Sequence, residues 1–261
     1  MQDKLKDTGF VGDLEWIFNQ EGSGTRFYKS SVYFPDDILN PQTNAGITID
    51  PGVDIGNCDR TTALAVLSFY QNEEILSSSL KGLLLTAIGK KRKSAAAWMV
   101  EHRRFFKNVF NVPIQLSIQV LQYYSAPGYW VPLQEAMPGL LTISNLPVKK
   151  AVHTSLLDMA YNRGCAKTID LAKNYIASNT FSELALAIRG VKSCSIGLTD
   201  RRKDESLIIM AALALGNKFT ININTDINPR PLTAIPMEDI EDYLQQQIPA
   251  ALDKVLENSN D

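Results

Sequence analysis

A glutamate at the end of an apolar helical pattern is the first residue in this sequence that could do acid–base chemistry. Residues 10–22 read FVGDLEWIFNQEG, and their apolar positions recur at helical spacing on one side of a helical wheel. These positions are Phe10, Val11, Leu14, Ile17 and Phe18. The next position on that side is Glu21, and a glycine follows it. The pattern predicts one short amphipathic helix over residues 10–22, with a carboxylate in the last place of its apolar face.

Two effects at that position would keep Glu21 protonated. An apolar face removes water from the charged carboxylate, and the C-terminal end of a helix dipole repels a negative charge. A carboxylic acid that stays protonated near neutral pH is the group with which a glycosidase protonates a leaving oxygen. The alternative is a Glu21 side chain that turns into solvent beyond the last helical turn.

Histidine and cysteine are too sparse to suggest nucleophilic or metal chemistry. The histidines are His102 and His153, and a polar residue on a helix flank is the simpler interpretation of the second. The three cysteines form no C-x-x-C pair and no His/Cys cluster, so they indicate neither a disulfide framework nor a metal site. We therefore expect any enzyme here to use carboxylates and to need no metal and no organic cofactor.

The charge of the chain is unevenly distributed. Residues 90–107 contain seven lysines and arginines against one glutamate, a net charge of +6, while the whole chain carries −2, so the remainder carries −8. The overall charge does not indicate a nucleic-acid partner. Two interpretations of residues 90–107 stay open: a solvated helical face and a surface that contacts an anionic polymer.

Local patterns predict a short β region at about residues 24–56, a mostly helical body, and a C-terminal appendage over residues 217–261. Within the β region, the turn-rich stretch PDDILNPQTNAG predicts a loop. The predicted helices cover residues 59–70, 73–88, 94–109, 114–124, 147–163, 168–178, 181–189 and 200–215. No apolar run approaches the roughly 18 residues that span a bilayer, and the first ten residues lack the apolar core of a Sec signal peptide. We expect a chain made in the cytoplasm that does not insert into a membrane.

Four short motifs stand in a fixed order along the chain. Glu21 before a glycine ends the first predicted helix, and TIDPGVDIG follows at residues 48–56. SLLDMAYNRG lies at residues 155–164, and GLTDRRKDE lies at residues 197–205. Together they resemble the lysozyme-like muramidases, and more closely the pesticin-type toxin domain and related bacterial effectors. That family has a hairpin T-I-G-x-G-x-D-x-G, a buried helix ending in Y/F-N-x-G, and a segment G-L-x-x-R-R-x-x-E. The resemblance covers about residues 10–210.

The resemblance assigns catalytic roles to three residues. Glu21 matches the general acid, Thr48 matches the threonine that helps to hold the attacking water, and Asp54 matches the carboxylate that accompanies it. This layout is that of an inverting glycoside hydrolase, in which acid and water act on opposite faces of the sugar. Asp50 and Pro51 replace the usual glycine and an often aromatic residue, which is a departure inside the motif.

Supporting roles follow from the other two motifs. Asn162 would make a buried hydrogen bond between the two lobes, although it could also simply finish a helix. An arginine near the fourth motif would contact the catalytic glutamate in the free enzyme, and either Arg201 or Arg202 could be that residue. The local alternative is an ion pair between Arg201 and Glu205, four positions apart on a helix.

Two adjacent aromatic residues, Tyr129 and Trp130, could bind sugars. YYSAPGYWVPL places Tyr129 and Trp130 after a Pro-Gly pair, and a loop there could present their rings to a glycan. Packing in the core is the alternative for both.

The resemblance implies an α+β fold, mostly α and lysozyme-like, over residues 1–216. A small N-terminal β subdomain and a larger helical lobe would enclose a cleft. The implied activity is hydrolysis of the β-1,4 bond between N-acetylmuramic acid and N-acetylglucosamine in peptidoglycan, whose glycan strands would be the partner. Nucleic acid is not an expected partner.

Because that substrate lies outside the inner membrane, the chain would act in the periplasm. It would be an antibacterial effector or toxin exported by a type VI or similar secretion system, with an immunity protein, or a phage endolysin released through a holin. The alternatives are a non-catalytic glycan-binding or structural phage protein with this fold and a chitosanase-like hydrolase.

Overall fold

The computed structural model describes residues 5–20, 46–49, 52–102, 112–192 and 196–216. The described chain is mostly helical, with one small antiparallel sheet. The strands are β1 (Thr48–Ile49) and β2 (Val53–Asp54). The helices are α1 (Leu14–Gln20), α2 (Arg60–Asn72), α3 (Ser78–Leu85), α4 (Lys93–His102), α5 (Ile114–Val120), α6 (Ala126–Ala136), α7 (Gly139–Thr142), α8 (Leu146–Arg163), α9 (Cys165–Ser178), α10 (Phe181–Arg189) and α11 (Ile196–Leu215).

The chain divides into two units. The first combines Met1–Gly22 with Ala126–Asp261, and the second is Ser23–Ser125. The prediction of a mostly α fold with a small β region is therefore confirmed. The two described strands belong to the same unit as α2–α5, and strands of two residues need such helices to cover an apolar face. The predicted β subdomain lies largely outside the described residues and stays a prediction. The cleft expected between two lobes stays a prediction, as does the lysozyme-like character of the fold.

Helix α8 is the centre of the first unit. Every residue from 151 to 160 is buried, and α1, α6, α9 and α11 all contact this helix. Asn145 caps its beginning by accepting a hydrogen bond from the Val148 amide, and Pro147 stands in the first turn, where its missing N–H costs nothing. It ends at Gly164, whose φ of +91° an L side chain rarely adopts. The prediction of a buried helix over SLLDMAYNRG is confirmed.

Helix α1 is shorter than the sequence predicted. It begins at Leu14, because Gly12 breaks the pattern and Asp13 Oδ1 accepts a hydrogen bond of 2.9 Å from the Trp16 amide, as a helix N-cap does. Phe10 lies before the helix and packs edge-on against Trp130, with ring centres 4.9 Å apart. The predicted helix over residues 10–22 was therefore wrong in its first turn, although the apolar residues are used for packing as expected.

The segment after residue 125 also differs from the prediction. Residues 121–125 form a π-helical turn, and α6 follows directly, where the sequence indicated a Pro-Gly loop. Pro127 is tolerated because it stands in the first turn of α6. Pro132 lies inside the helix and deprives the Gly128 carbonyl of its usual donor, and Gly128 is exposed, so water can replace that donor.

Other helix bounds shift by a few residues. Helix α3 begins at Ser78 rather than 73, because Ser77 caps it by accepting from the Leu80 amide, and α11 begins at Ile196 rather than 200. None of the described helices is long and apolar enough to cross a membrane. Three predictions lie outside the described residues: Glu21, the β region before residue 46, and the appendage over 217–261.

Candidate functional site

The hairpin of the second unit places two of the predicted catalytic residues opposite each other. Strands β1 and β2 pair in antiparallel register, with Thr48 facing Asp54 and Ile49 facing Val53. The turn between them includes Gly52, whose φ of +87° requires glycine. Ile49 and Val53 are buried in the core of this unit, so the hydrophobic pattern fixes the register. The spacing of six residues between Thr48 and Asp54 thus follows from a tight hairpin.

The Asp54 carboxylate is held by four hydrogen bonds. Oδ2 accepts from the Gly46 amide at 2.9 Å and from Asn57 Nδ2 at 2.6 Å. Oδ1 accepts from the Gly56 amide at 3.0 Å and from the Asn57 amide at 3.1 Å. A carboxylate offers about four lone-pair sites, so these bonds occupy its accepting capacity. In this arrangement Asp54 ties the two ends of the hairpin together, and its predicted part in holding water is not evident from its contacts.

Thr48 is almost completely buried. Its side chain belongs to a residue that is 5% exposed, and its hydroxyl donates a long hydrogen bond of 3.4 Å to the Gly46 carbonyl. A bond of that length is weak, so the hydroxyl can turn toward a better partner. The predicted role of Thr48 in positioning water needs such a turn. Asp50 and Pro51, the departures inside the motif, lie outside the described residues.

Gly46 and Gly56 allow the two ends of the hairpin to approach each other. A Cβ on Gly46 would lie 2.7 Å from Gly56 Cα, and a Cβ on Gly56 would lie 2.8 Å from Gly46 Cα and would collide with the Lys90 carbonyl. Gly46 also pairs with Lys91 in an antiparallel bridge. The spacing of Gly46, Asp54 and Gly56 therefore has a local structural reason.

In the first unit, a buried polar cluster joins α8 to α11. Asp158 is fully buried, and Arg201 is 6% exposed. Arg201 Nε donates to Asp158 Oδ2 at 2.7 Å, and Nη2 donates to Oδ1, so the pair is bidentate. Bidentate arginine–carboxylate pairs are the strongest and most directional ion pairs in proteins. This pairing replaces the local Arg201–Glu205 pair that the sequence left open.

The same guanidinium reaches the end of α1. Arg201 Nη1 donates a hydrogen bond of 3.2 Å to the carbonyl of Gln20, the last residue of that helix. Gln20 Nε2 in turn donates to Asp204 Oδ2 at 3.4 Å. The last carbonyls of a helix lack intrahelical partners, and an arginine is well suited to satisfy them. Of the two arginines that the sequence could not separate, Arg201 is the one bonded to the residue directly before Glu21.

Arg202 lies deeper and pairs on its own helix. It is 2% exposed, and its Nη2 lies 2.9 Å from Glu205 Oε1, three positions along. Nη2 also donates a long hydrogen bond of 3.5 Å to Asn162 Oδ1, while Nη1 is buried with no hydrogen-bond partner among the described residues. Asn162 is exposed in the last turn of α8. The expectation that Asn162 is buried was wrong, because the residue is exposed, and its role in joining two lobes stays a prediction.

Glu205 is fully buried within this cluster. Burial, and next the neighbouring Asp158 carboxyl, raise the pKa of Glu205 well above its ordinary value, and the two arginines oppose the rise only in part. Burial lowers the pKa of Arg202, against the attraction of Glu205 and Asp158. The Ser155 hydroxyl donates to the Glu205 carbonyl at 2.8 Å and adds a further link between α8 and α11.

Asp158 and Glu205 were not among the predicted site residues. A signal for Asp158 was present, since it is the only acidic residue between Lys150 and Arg163, and that stretch contains no lysine or arginine. A charge on a buried helix must find a partner. The sequence could not say which arginine that partner would be.

The aromatic residues proposed for sugar binding lie in the first unit. Trp130 is fully buried between Phe10 and His153, with ring centres 4.9 and 4.4 Å away, which matches the core-packing alternative. Tyr129 is half-buried, and its ring centre lies 4.8 Å from that of Tyr161. The structure thus leaves only Tyr129 of this pair with a partly accessible ring.

Within the described ranges, no group of three or more His, Cys, Asp or Glu side chains could hold a metal ion. Burial raises the pKa of the Cys58 thiol to about 11, so it is a poor nucleophile. The predicted residues gather in two groups, one in each unit: Thr48 with Asp54, and Arg201 with Arg202 and Asn162. Neither the models of known protein families nor the curated proteins contain a match to this chain.

Proposed function

We propose that this chain is a peptidoglycan hydrolase, a muramidase that cleaves the β-1,4 bond between N-acetylmuramic acid and N-acetylglucosamine by inversion. Glu21 would be the general acid, and Thr48 would help to hold the attacking water. The observation that carries the proposal is the hydrogen bond from Arg201 to the Gln20 carbonyl. It joins the fourth motif to the residue directly before Glu21, which supports the contact between an arginine and the acid that the resemblance implies.

The Asp158–Arg201 pair supports an acid role for Glu21. An uncompensated arginine beside an acid would favour the ionised carboxylate. Here Asp158 neutralises the guanidinium through a bidentate contact, so Arg201 can bind a helix-terminal carbonyl without bringing a full positive charge. The negative end of the α1 dipole then still favours the protonated form of an acid that follows Gln20.

The hairpin supports a division of labour between Thr48 and Asp54. Since four donors already occupy the Asp54 oxygens, we assign Asp54 to fixing the hairpin and Thr48 to contacting water. Asp54 Oδ2 accepts from the Gly46 amide, and the Gly46 carbonyl accepts from the Thr48 hydroxyl, so Asp54 fixes the residue that Thr48 contacts. Inversion needs a water on the sugar face opposite the acid, which a hydroxyl can orient.

The biological setting we propose is action in the periplasm on the cell wall, after export as an antibacterial effector or toxin, or after holin-type release as a phage endolysin. An effector would be accompanied by an immunity protein that blocks the site. A gene for a small periplasmic inhibitor beside this one would favour the effector, and holin genes would favour the endolysin.

The test is digestion of purified sacculi with mass spectrometry of the released muropeptides. We expect reducing N-acetylmuramic acid ends from the wild type and a loss of about 100-fold or more from Glu21→Gln, in line with the loss of a general acid. Glu15→Gln is the matched control, because Glu15 is an exposed glutamate on α1, six positions before Glu21 in the sequence. Anhydro ends would indicate a lytic transglycosylase instead, and release from chitosan alone would indicate a chitosanase-like enzyme. No glycan release by a folded wild-type protein would refute the enzymatic proposal.

A second candidate is a non-catalytic glycan-binding or structural protein. The saturation of Asp54 and the burial of Thr48 favour it, since four donors already occupy the Asp54 oxygens and the Thr48 hydroxyl must turn before it can hold water. Sacculus binding that Glu21→Gln leaves unchanged, together with no turnover by the wild type, would establish this candidate.

A further inference from the structure

A cationic segment is attached to the hairpin that carries Thr48. The segment consists of Lys90, Lys91, Arg92 and Lys93 and is called the basic segment below. Lys91 pairs with Gly46 in a backbone bridge, and the Lys90 carbonyl packs so closely on Gly56 that no side chain fits there. Thr48 lies two residues from Gly46, about 7 Å along an extended chain. The basic segment is therefore fixed beside the proposed water-binding residue.

The charges of the basic segment are not used within the described part of the chain. Arg92 and Lys93 are exposed, Lys90 and Lys91 are half-buried, and none of the four forms an ion pair with a described acid. Elsewhere in the described chain, surface lysines do find acids, as Lys173 does with Asp170. Four neighbouring cations repel one another, so the fold gains nothing from this arrangement by itself.

Two further features make the segment costly to keep. Arg92 has a φ of +52°, a left-handed conformation that costs a non-glycine residue roughly 1–2 kcal/mol. It also precedes α4, where the helix dipole disfavours positive charge. An anion bound at this place would be attracted both by the cations and by the dipole, and would offset both costs.

We infer that the basic segment binds the free carboxylates of the peptide stems on the glycan strand. This inference rests on the proposed function, because it makes the segment the part of the same site that recognises the substituted sugar. Stem peptides carry carboxylates close to the glycosidic bonds, which matches a cationic segment fixed beside Thr48. Contacts to exposed cations are individually weak, so several of them would act together.

The test compares two double variants of equal charge in the full-length chain. Arg92→Gln with Lys93→Gln removes two exposed cations from the segment. Lys167→Gln with Lys192→Gln removes two exposed cations from the other unit and is the control. Binding to sacculi is measured at low ionic strength, with native sacculi and with sacculi whose carboxylates have been converted to amides.

We expect the segment variant to bind native sacculi roughly 5-fold more weakly than the wild type, while the control is unchanged. Amidation of the sacculi should weaken the wild type similarly and remove the difference between the variants. Equal binding by the segment variant and the wild type would overturn the inference, and so would equal losses in both variants. Loss of binding to a DNA oligonucleotide with unchanged binding to sacculi would also overturn it.

Failure of this inference is distinguishable from failure of the proposed function. Glycan release by the wild type reports on the muramidase proposal, whereas the amidation-dependent difference between the variants reports on the segment. If the wild type releases glycan but the two variants bind sacculi equally, the muramidase proposal stands and the carboxylate-binding role of the segment is refuted. If the variants differ but the wild type releases no glycan, the segment binds carboxylates on a non-catalytic glycan-binding protein.

Discussion

Removal of the Asp158 carboxylate tests the buried cluster most directly. Asp158 is fully buried and Arg201 is 6% exposed, so Asp158→Ala leaves a guanidinium away from water with no bidentate partner. Breaking one side of a buried ion pair costs about 3–5 kcal/mol. Asp158→Asn should cost less, about 1–3 kcal/mol, because the amide oxygen still accepts one hydrogen bond from Arg201. The carboxyl of Glu205, relieved of its like-charged neighbour, can then ionise and partly replace the lost charge.

Urea unfolding followed by far-ultraviolet circular dichroism measures these differences. Asp170→Asn is the control, because Asp170 is 76% exposed and pairs with Lys173 at the surface. It should change the free energy of unfolding by less than about 0.5 kcal/mol. The double variant Asp158→Leu with Arg201→Met removes both charges of this pair, so neither is left buried without its partner, and it should therefore be more stable than Asp158→Ala alone.

Two results would refute this reasoning. One is an Asp158→Ala protein that unfolds within about 1 kcal/mol of the wild type, which would mean that Arg201 is well solvated. The other is a double variant less stable than Asp158→Ala, which would mean that packing rather than charge dominates at this place.

Three other perturbations have outcomes set by single contacts. Burial lowers the pKa of His153 from 6.5 to about 4, so its neutral form stabilises the fold fully above pH 6.5, and up to about 3 kcal/mol is lost as the pH falls toward 4. His153→Gln should flatten that part of the urea-midpoint profile, and an unchanged slope would contradict the assignment. Burial raises the pKa of Glu205, so the stability from its protonated form is present below pH 4.5 and is lost as the pH rises toward the raised pKa. Glu205→Gln should therefore gain stability relative to the wild type from pH 5 to 8, and a constant difference in urea midpoint would argue against this. Gly56→Ala places a Cβ 2.8 Å from Gly46 Cα and should cost about 1–3 kcal/mol in thermal unfolding, whereas Gly82→Ala, with open space around it, should be neutral or stabilising. Equal melting temperatures for the two alanine variants would speak against the close approach.

The hairpin of β1 and β2 shows which features can be predicted from residues that are close together in the sequence. The resemblance predicted a hairpin that carries Thr48 and Asp54, and the structure has this hairpin, with a turn at Gly52 and with Ile49 and Val53 in the core. These interactions join residues six positions apart or fewer, and local conformational preferences decide them. What the pattern did not reveal is that backbone amides and Asn57 would occupy the whole Asp54 carboxylate.

Helix boundaries were predicted closely for α2, α8 and α10, whereas the first residues of α3 and α11 differ from the prediction by five and four positions. The apolar run in α8 indicated a buried helix because every turn had to be covered. Helix α6 was missed because Pro127 and Gly128 usually mark loops, and packing of Trp130 in the core outweighs that preference. The free energy gained by burying one tryptophan side chain can exceed the free energy that two residues of low helix propensity cost.

The sequence by itself determined which residues are apolar, and it contains the Asp158 carboxylate within a helix predicted to be buried, where a charge needs a positive partner. It could not determine that partner, because Arg201 and Arg202 are adjacent and Glu205 offers each of them a local pairing. Only the tertiary structure decided the matter. Packing of α11 on α8 brings Arg201 to Asp158, 43 residues away in the chain, and to the carbonyl of Gln20. Burial makes this one pairing strongly preferred, because an unpaired charge inside the protein costs several kcal/mol, whereas an unpaired charge at the surface costs almost nothing.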